Sequence, residues 1–137
     1  MRIVPRWLAQ GSEFPRVRIH ITPYAQVPEL WEMDSTGSTY TANAVVPEAS
    51  FKVTKGEPKF YDTIGDSGKK NRHFFCGNCG SPLFNKLDVM PGEVIIKSGG
   101  LDNGAADLKT VGVEFFCEQR LSFVPPAEGA KQLPRFG

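Results

Sequence analysis

Apolar and polar residues alternate along much of this chain, in short segments that glycine and proline separate. In residues 17–21, for example, valine and isoleucine at every second position alternate with Arg18 and His20. A period of two residues is that of a β-strand with one buried face. Strands are predicted at 17–21, 39–46, 49–55, 59–64, 93–97 and 111–116. Because 14 glycines and 11 prolines leave little room for long helices, the sequence predicts a mainly β fold.

The most distinctive segment is 72–84, where an aromatic strand leads into a Cys-x-x-Cys-Gly motif and an apolar strand leaves it. The thiolates of Cys76 and Cys79 can bind one tetrahedral zinc ion, and the glycines of the motif allow the backbone to turn tightly. A closed structural zinc site needs four ligands, so this pair requires two more. The residues that could complete it are Glu13, His20, Glu32, His73 and Cys117.

None of these additional ligands is well placed by the sequence. His73 lies three positions before Cys76, on the opposite face of a regular strand unless the strand bulges. Cys117 ends an apolar segment, where a lone cysteine is usually a small buried hydrophobe. We therefore expect no cofactor, with Cys76 and Cys79 as metal ligands only if zinc is retained. Without zinc, the burial of aromatic side chains would replace the stabilising effect of the metal. The candidates are Phe51, Phe60, Tyr61, Phe74, Phe75, Phe84, Phe115 and Phe116.

Charge and composition exclude several classes of protein. Sixteen basic and fifteen acidic residues give a net charge of +1, which favours neither nucleic acid nor a membrane surface as a partner. The first ten residues contain no apolar signal segment, and a tight cysteine pair among three cysteines suits an intracellular protein. We expect a cytoplasmic protein that acts on a small molecule. Residues 1–15 are expected to be an extension derived partly from cloning, and 16–137 a single domain.

Four segments, in order along the chain, resemble the glutathione-dependent formaldehyde-activating enzyme family. They are Ser35-Thr36-Gly37-Ser38, Val46-Pro47 with Phe51, residues 73–84, and Gly99-Gly100-Leu101-Asp102. The resemblance runs from about residue 16 to about residue 132. It implies an Mss4-like fold, with several coiled antiparallel sheets around the Cys-x-x-Cys knuckle. It also implies a zinc-dependent carbon–sulfur lyase that joins formaldehyde to glutathione.

The chain departs from this family at its metal ligands. Members carry a Cys-x-Cys near the start, which holds a structural zinc with the later Cys-x-x-Cys, and a Cys-x-Cys-x-x-Cys that holds a catalytic zinc. The corresponding positions here are Glu13 and Pro15 for the first group, and Val27, Glu29 and Glu32 for the second. The resemblance therefore implies the fold but not the metal chemistry.

Glu29, Glu32 and Asp34 place three carboxylates within six residues, beside Trp31. The resemblance puts this segment at the active-site position. A carboxylate beside an aromatic ring can have a raised pKa and serve as a general acid or base. We predict that Glu29, Glu32 and His73 are the catalytic residues of acid–base chemistry without a catalytic zinc. The alternative is a solvated acidic loop and a histidine that only forms structural hydrogen bonds.

Trp31, Tyr40 and Arg72 are the predicted substrate-binding residues, since an arginine can bind an anionic group. Tyr40 and Asn43 are out of phase on a regular strand, so both cannot face one pocket. Three functions remain open: a divergent lyase- or cyclase-type enzyme, the zinc-dependent carbon–sulfur lyase of the family, and a non-catalytic Mss4-like binding module.

Overall fold

The computed structural model describes residues 37–65, 67–101 and 110–136, and the backbone of 18–23. This part of the chain contains eight strands and no α-helix, which confirms the mainly β prediction. The strands are β1 (Arg18–Pro23), β2 (Tyr40–Pro47), β3 (Lys59–Ile64), β4 (Lys70–Phe75), β5 (Pro82–Leu87), β6 (Glu93–Lys97), β7 (Val113–Glu114) and β8 (Lys131–Gln132). No helix with the length and hydropathy of a membrane span occurs among these residues.

Hydrogen bonds connect the strands in the order β3-β4-β5-β6-β2-β1-β7-β8. All pairs from β3 to β1 are antiparallel, as expected for the fold. The pairs β1–β7 and β7–β8 are parallel. The Cys-x-x-Cys motif forms the turn between β4 and β5, so it lies within the antiparallel part of the sheet.

One predicted strand was wrong and another is shorter than predicted. Residues 49–55 contain no strand, because Pro47 ends β2 and a single 3-10 turn follows at Glu48–Ser50. This turn places Phe51 and Val53 against the apolar core. The strand predicted at 111–116 shortens to β7, and β8 lies in a segment where no strand was predicted. The first difference has this local cause, whereas the pairing of β7 with β8 depends on contacts between distant parts of the chain.

One face of the sheet carries the apolar core. Val46, Phe84, Val94 and Ile96 are buried there. The ring of Phe84 stacks on that of Phe74 with centroids 4.3 Å apart and lies 4.7 Å from that of Phe51. Of the aromatic residues expected to fill the core, Phe60 and Tyr61 are instead exposed. The core therefore consists of aliphatic side chains and three phenylalanine rings that pack against them.

The opposite face of the same strands is polar but also buried. Residues that pair directly across neighbouring strands share a face, and the register pairs His73 with Asn85 and Asn43 with Lys97. The buried polar residues of this face are Thr41, Asn43, Asn71, His73, Asn85 and Lys97. We call it the polar face.

A buried carboxylate joins the carboxy-terminal segment to β7. Glu114, which is 2% exposed, accepts two hydrogen bonds from the guanidinium of Arg120 and others from Gln132 Nε2 and the Ala127 N–H. Burial opposes ionisation of Glu114, but the bonds from Arg120, Gln132 and Ala127 outweigh it and lower its pKa below the ordinary 4.5. These contacts fix β8 beside β7.

Candidate functional site

His73 is the centre of one hydrogen-bonded group on the polar face, which we call the histidine cluster (Thr63, Asn71, His73 and Asn85). The Nε2 atom of His73 lies 3.1 Å from Thr63 Oγ1, and its Nδ1 atom lies 3.2 Å from Asn85 Nδ2. The same Asn85 nitrogen donates to Asn71 Oδ1 at 3.3 Å. On the neighbouring strand the ring of Tyr61 stacks on the imidazole, with centroids 4.9 Å apart and planes 5° from parallel.

The donors and acceptors of this cluster determine the tautomer of His73. An amide nitrogen only donates, so Nδ1 of the imidazole must accept from Asn85. The proton of the neutral ring is then on Nε2, which donates to Thr63 Oγ1. The hydroxyl of Thr63 in turn donates to the backbone carbonyl oxygen of Asn71 at 3.3 Å. Every bond in the cluster is consistent with one neutral Nε2–H imidazole.

The pKa of His73 is lowered from 6.5 to about 4, mainly by burial and also by the positive charge of Lys97, while Asp62 partly opposes both. Desolvation disfavours the charged imidazolium because the low-dielectric surroundings do not solvate it. His73 is therefore neutral near pH 7, with both ring nitrogens hydrogen-bonded within the protein.

A second group, the lysine cluster (Thr41, Asn43, Lys97 and Ser98), lies where β6 and β2 pair. Lys97 is 9% exposed, and its Nζ donates to Thr41 Oγ1 at 3.3 Å. The hydroxyl of Thr41 donates to Asn43 Oδ1 at 3.3 Å. Ser98, directly after β6, donates to the Ala42 carbonyl oxygen at 3.0 Å. An ammonium group and an amide are thus placed side by side on a buried surface.

The lysine cluster and the amides of the histidine cluster were not predicted from the sequence. Part of the signal was present, since Thr41 and Asn43 alternate with alanines along β2, whereas the first four residues of β4 are all polar. Such alternation is normally taken as a solvent-facing side of a sheet. Only the structure shows that this side is covered, where a polar group is costly unless it is hydrogen-bonded.

The predicted site residues lie in different places. Glu29, Trp31 and Glu32 are outside the described residues. Tyr40 is exposed at the start of β2. Arg72 follows the alternation of β4 onto the face opposite His73, where its guanidinium donates to both carboxylate oxygens of Asp62, at 2.6 and 2.8 Å. The structure therefore does not bring Tyr40 or Arg72 together with His73, and the role of each stays a prediction.

The Cys-x-x-Cys motif forms the tight turn that its glycines predicted. Gly80 has φ of +76°, which favours glycine, and a Cβ on Gly77 would lie 3.1 Å from the Lys59 side chain. Hydrogen bonding from Ser81, and then from the Cys76 thiol, lowers the pKa of Cys79 from 9.0 to about 7. The Cys79 sulfur lies 3.1 Å from Ser81 Oγ. The two thiols therefore meet in one turn and can supply two ligands to a metal.

The other two zinc ligands are not found in the described part of the chain, where no three His, Cys, Asp or Glu side chains form a metal-binding group. A bulge does occur between Phe74 and Phe75, but both ring nitrogens of His73 have other partners. Cys117 Sγ donates to a carbonyl oxygen of β7. Glu13, Glu32 and the side chain of His20 are outside the described residues. The donors described here fit half of a closed zinc site.

Comparison with known proteins gives one finding about the family. The sequence model described as "Glutathione-dependent formaldehyde-activating enzyme" matches residues 33–119, more than half of the chain. This span includes the histidine cluster, the lysine cluster and the Cys-x-x-Cys turn, but neither β1 nor β8. No curated protein matches the chain.

Proposed function

The chain belongs to the glutathione-dependent formaldehyde-activating enzyme family, and from this premise we propose that it is a divergent small-molecule enzyme. Its chemistry is proton transfer of the lyase or cyclase type, without a catalytic zinc, in the cytoplasm. The observation that carries this proposal is the polar face, where an ammonium group, amides and a neutral imidazole are buried together. Buried polar clusters of this kind are characteristic of binding and catalytic sites.

The proposed roles follow from the protonation states. Glu29 and Glu32 exchange protons with the substrate, and Trp31 supplies the aromatic wall that raises a carboxyl pKa. Lys97 stabilises negative charge that develops on a substrate oxygen, which is most effective in a site that excludes water. His73, neutral at pH 7 and with both ring nitrogens hydrogen-bonded, contributes by orienting the Asn85 amide. Tyr40 and Arg72 have no role in this proposal, because strand alternation places them on the face opposite Asn43 and His73.

A second candidate is the family-type carbon–sulfur lyase, which joins formaldehyde to glutathione at zinc. The thiol pair favours it, because the low pKa of Cys79 increases the fraction of thiolate, the form that binds metal. Cys76 and Cys79 would supply two ligands of the structural ion, whereas the positions of the catalytic ligands carry Val27, Glu29 and Glu32. Zinc, when bound in such an enzyme, polarises a carbonyl oxygen.

One experiment separates these candidates. Protein stripped with a chelator, and the same protein after zinc is added, are assayed by ¹³C NMR with formaldehyde and glutathione and with a panel of small hydroxy and keto acids. We expect turnover of a panel compound by the stripped protein, reduced about a hundredfold or more by Glu32→Gln. Glu48→Gln is the matched control, since Glu48 is exposed and pairs with Lys86.

Turnover of formaldehyde and glutathione that appears only with zinc would reject the metal-free proposal and support the second candidate. Binding of panel compounds without turnover in either state would instead support a non-catalytic binding module. Equal losses in Glu32→Gln and Glu48→Gln would remove Glu32 from the catalytic set.

A further inference from the structure

Two asparagine side chains on the polar face have hydrogen-bonding atoms that no described residue uses. Asn43 is 6% exposed and Asn85 is 4% exposed. Asn43 Oδ1 accepts from Thr41, but no described residue accepts from its Nδ2. Asn85 Nδ2 donates one hydrogen bond to Asn71 Oδ1 and one to His73 Nδ1, but no described residue donates to Asn85 Oδ1. A buried donor and a buried acceptor are thus left over on one surface.

Such leftover atoms require an explanation, because most buried polar atoms in proteins have partners. Leaving one unpaired costs free energy that an apolar residue of similar shape would not. Neither asparagine ends a helix or occupies a turn, since Asn43 is in the middle of β2 and Asn85 is in the middle of β5. Their amides are therefore not needed to complete the backbone hydrogen bonding.

Sheet geometry places the two atoms within reach of one small molecule. Asn85 pairs with Ile95 and Asn43 pairs with Lys97, so β6 lies between them. Two strand spacings and an offset of two residues along β6 separate their backbones by about 12 Å, and both side chains extend from the same face. Because the amide nitrogen of Asn85 faces β4, its carbonyl oxygen faces away from β4. The lysine cluster adds a positive charge beside Asn43.

We propose that Asn43 and Asn85 are a recognition pair for a small carboxylic acid that also carries a hydroxyl or amino group. The Nδ2 of Asn43 donates to the carboxylate, beside Lys97, and the Oδ1 of Asn85 accepts from the hydroxyl or amino hydrogen. This inference rests on the proposed function and names the substrate class of that site. A site built on both bonds rejects a compound that lacks either one, because a buried partner then stays unpaired.

Three probe compounds test the pair in the full chain. Lactate has both groups, propionate lacks the hydroxyl, and 1,2-propanediol lacks the carboxylate. In ¹H–¹⁵N NMR titrations, the side-chain amide signals of Asn43 report the proposed contact directly. We expect lactate to shift these signals and to bind about tenfold or more tightly than the other two compounds.

Asn43→Leu and Asn43→Asp are the variants, with Asn78→Leu in the exposed Cys-x-x-Cys turn as the control. Asn43→Leu is expected to lose lactate binding while its melting temperature stays unchanged or rises, since only the bond from Thr41 is removed. Asn43→Asp keeps the side-chain volume and an acceptor for Thr41, and should also lose binding. Asn78→Leu should bind lactate as the unaltered protein does.

Several results would overturn the recognition pair. One is equal binding of propionate and lactate. Another is a long-lived water at the Asn43 amide that lactate does not displace. A third is a large fall in melting temperature for Asn43→Leu together with lactate binding retained in Asn43→Asp. The readout is independent of catalysis. Lactate binding without turnover of any acid would retain the pair and count against the proposed enzyme, whereas turnover unaffected by Asn43→Leu would reject the pair alone.

Discussion

Replacing His73 with glutamine should flatten the pH dependence of stability between pH 6.5 and about 4. In the folded protein, burial keeps the imidazole neutral until the pH falls to about 4, whereas an exposed histidine in the unfolded chain is protonated below about 6.5. Since the unfolded state binds the proton first, acid favours unfolding across this interval. The stability that the neutral ring supports is complete above pH 6.5 and is lost as the pH falls.

The magnitude follows from the difference between these two pKa values. One pKa unit corresponds to about 1.4 kcal/mol, so the difference between 6.5 and about 4 corresponds to a loss of about 3 kcal/mol in the free energy of unfolding. This is a large fraction of the total stability of an ordinary domain, which is about 5–15 kcal/mol. Glutamine retains an amide donor and an acceptor but does not titrate, so the variant lacks this loss.

Urea unfolding at a series of pH values across this interval measures the effect. The free energy of unfolding of His73→Gln, minus that of the unaltered protein, should become more positive by about 3 kcal/mol as the pH falls. His20→Gln is the matched control, because the chain contains two histidines. Parallel pH profiles for His73→Gln and the unaltered protein would refute the reasoning. An Nδ1–H tautomer in ¹⁵N NMR would refute the assigned hydrogen bonds.

Three further predictions concern other parts of the structure. Glu114→Gln should lower the free energy of unfolding by about 3–5 kcal/mol, because it leaves a buried arginine without its counter-charge. Glu118→Gln removes only the exposed ion pair with Arg135 and should lower the free energy of unfolding by less than about 1 kcal/mol. Similar urea midpoints for Glu114→Gln and Glu118→Gln would contradict this difference. Iodoacetamide should react with Cys79 at half its maximal rate near pH 7. Ser81→Ala should move that midpoint upward, and an unchanged midpoint would exclude the hydrogen bond as the cause. Phe84→Ala should cost about 3–5 kcal/mol in urea unfolding, and a loss below about 1 kcal/mol would show that the ring is not a core contact.

Local patterns were enough to predict most strands and the central turn. Residues 59–64 and 93–97 form strands at the predicted positions, and residues 39–46 shift by one. The glycines of the Cys-x-x-Cys motif predicted its turn, and Gly80 has the positive φ that the turn requires. The ordered segments also predicted the family. These features depend on residues close together in the chain, so their cause is visible in the sequence.

The placement of Arg72 and His73 on opposite faces of β4 could also be predicted from the sequence. Consecutive residues on a strand point to opposite faces, so both could not line one surface of β4. Arg72 accordingly pairs with Asp62 on the face opposite the histidine cluster. The predicted role of Arg72 rested on its charge and did not take this constraint into account.

The burial of the polar face was decided by the tertiary structure. The alternation of Asn71 and His73 along β4 is the same for a face in water and a face that is covered. Only the pairing of distant strands brings Asn85 against His73 and Lys97 against Asn43. The parallel pairing of β7 with β8 likewise depends on Glu114 and residues far along the chain. The sequence by itself determined which residues can form strands, whereas the tertiary structure decided which polar side chains are removed from water, because desolvation depends on what covers a residue.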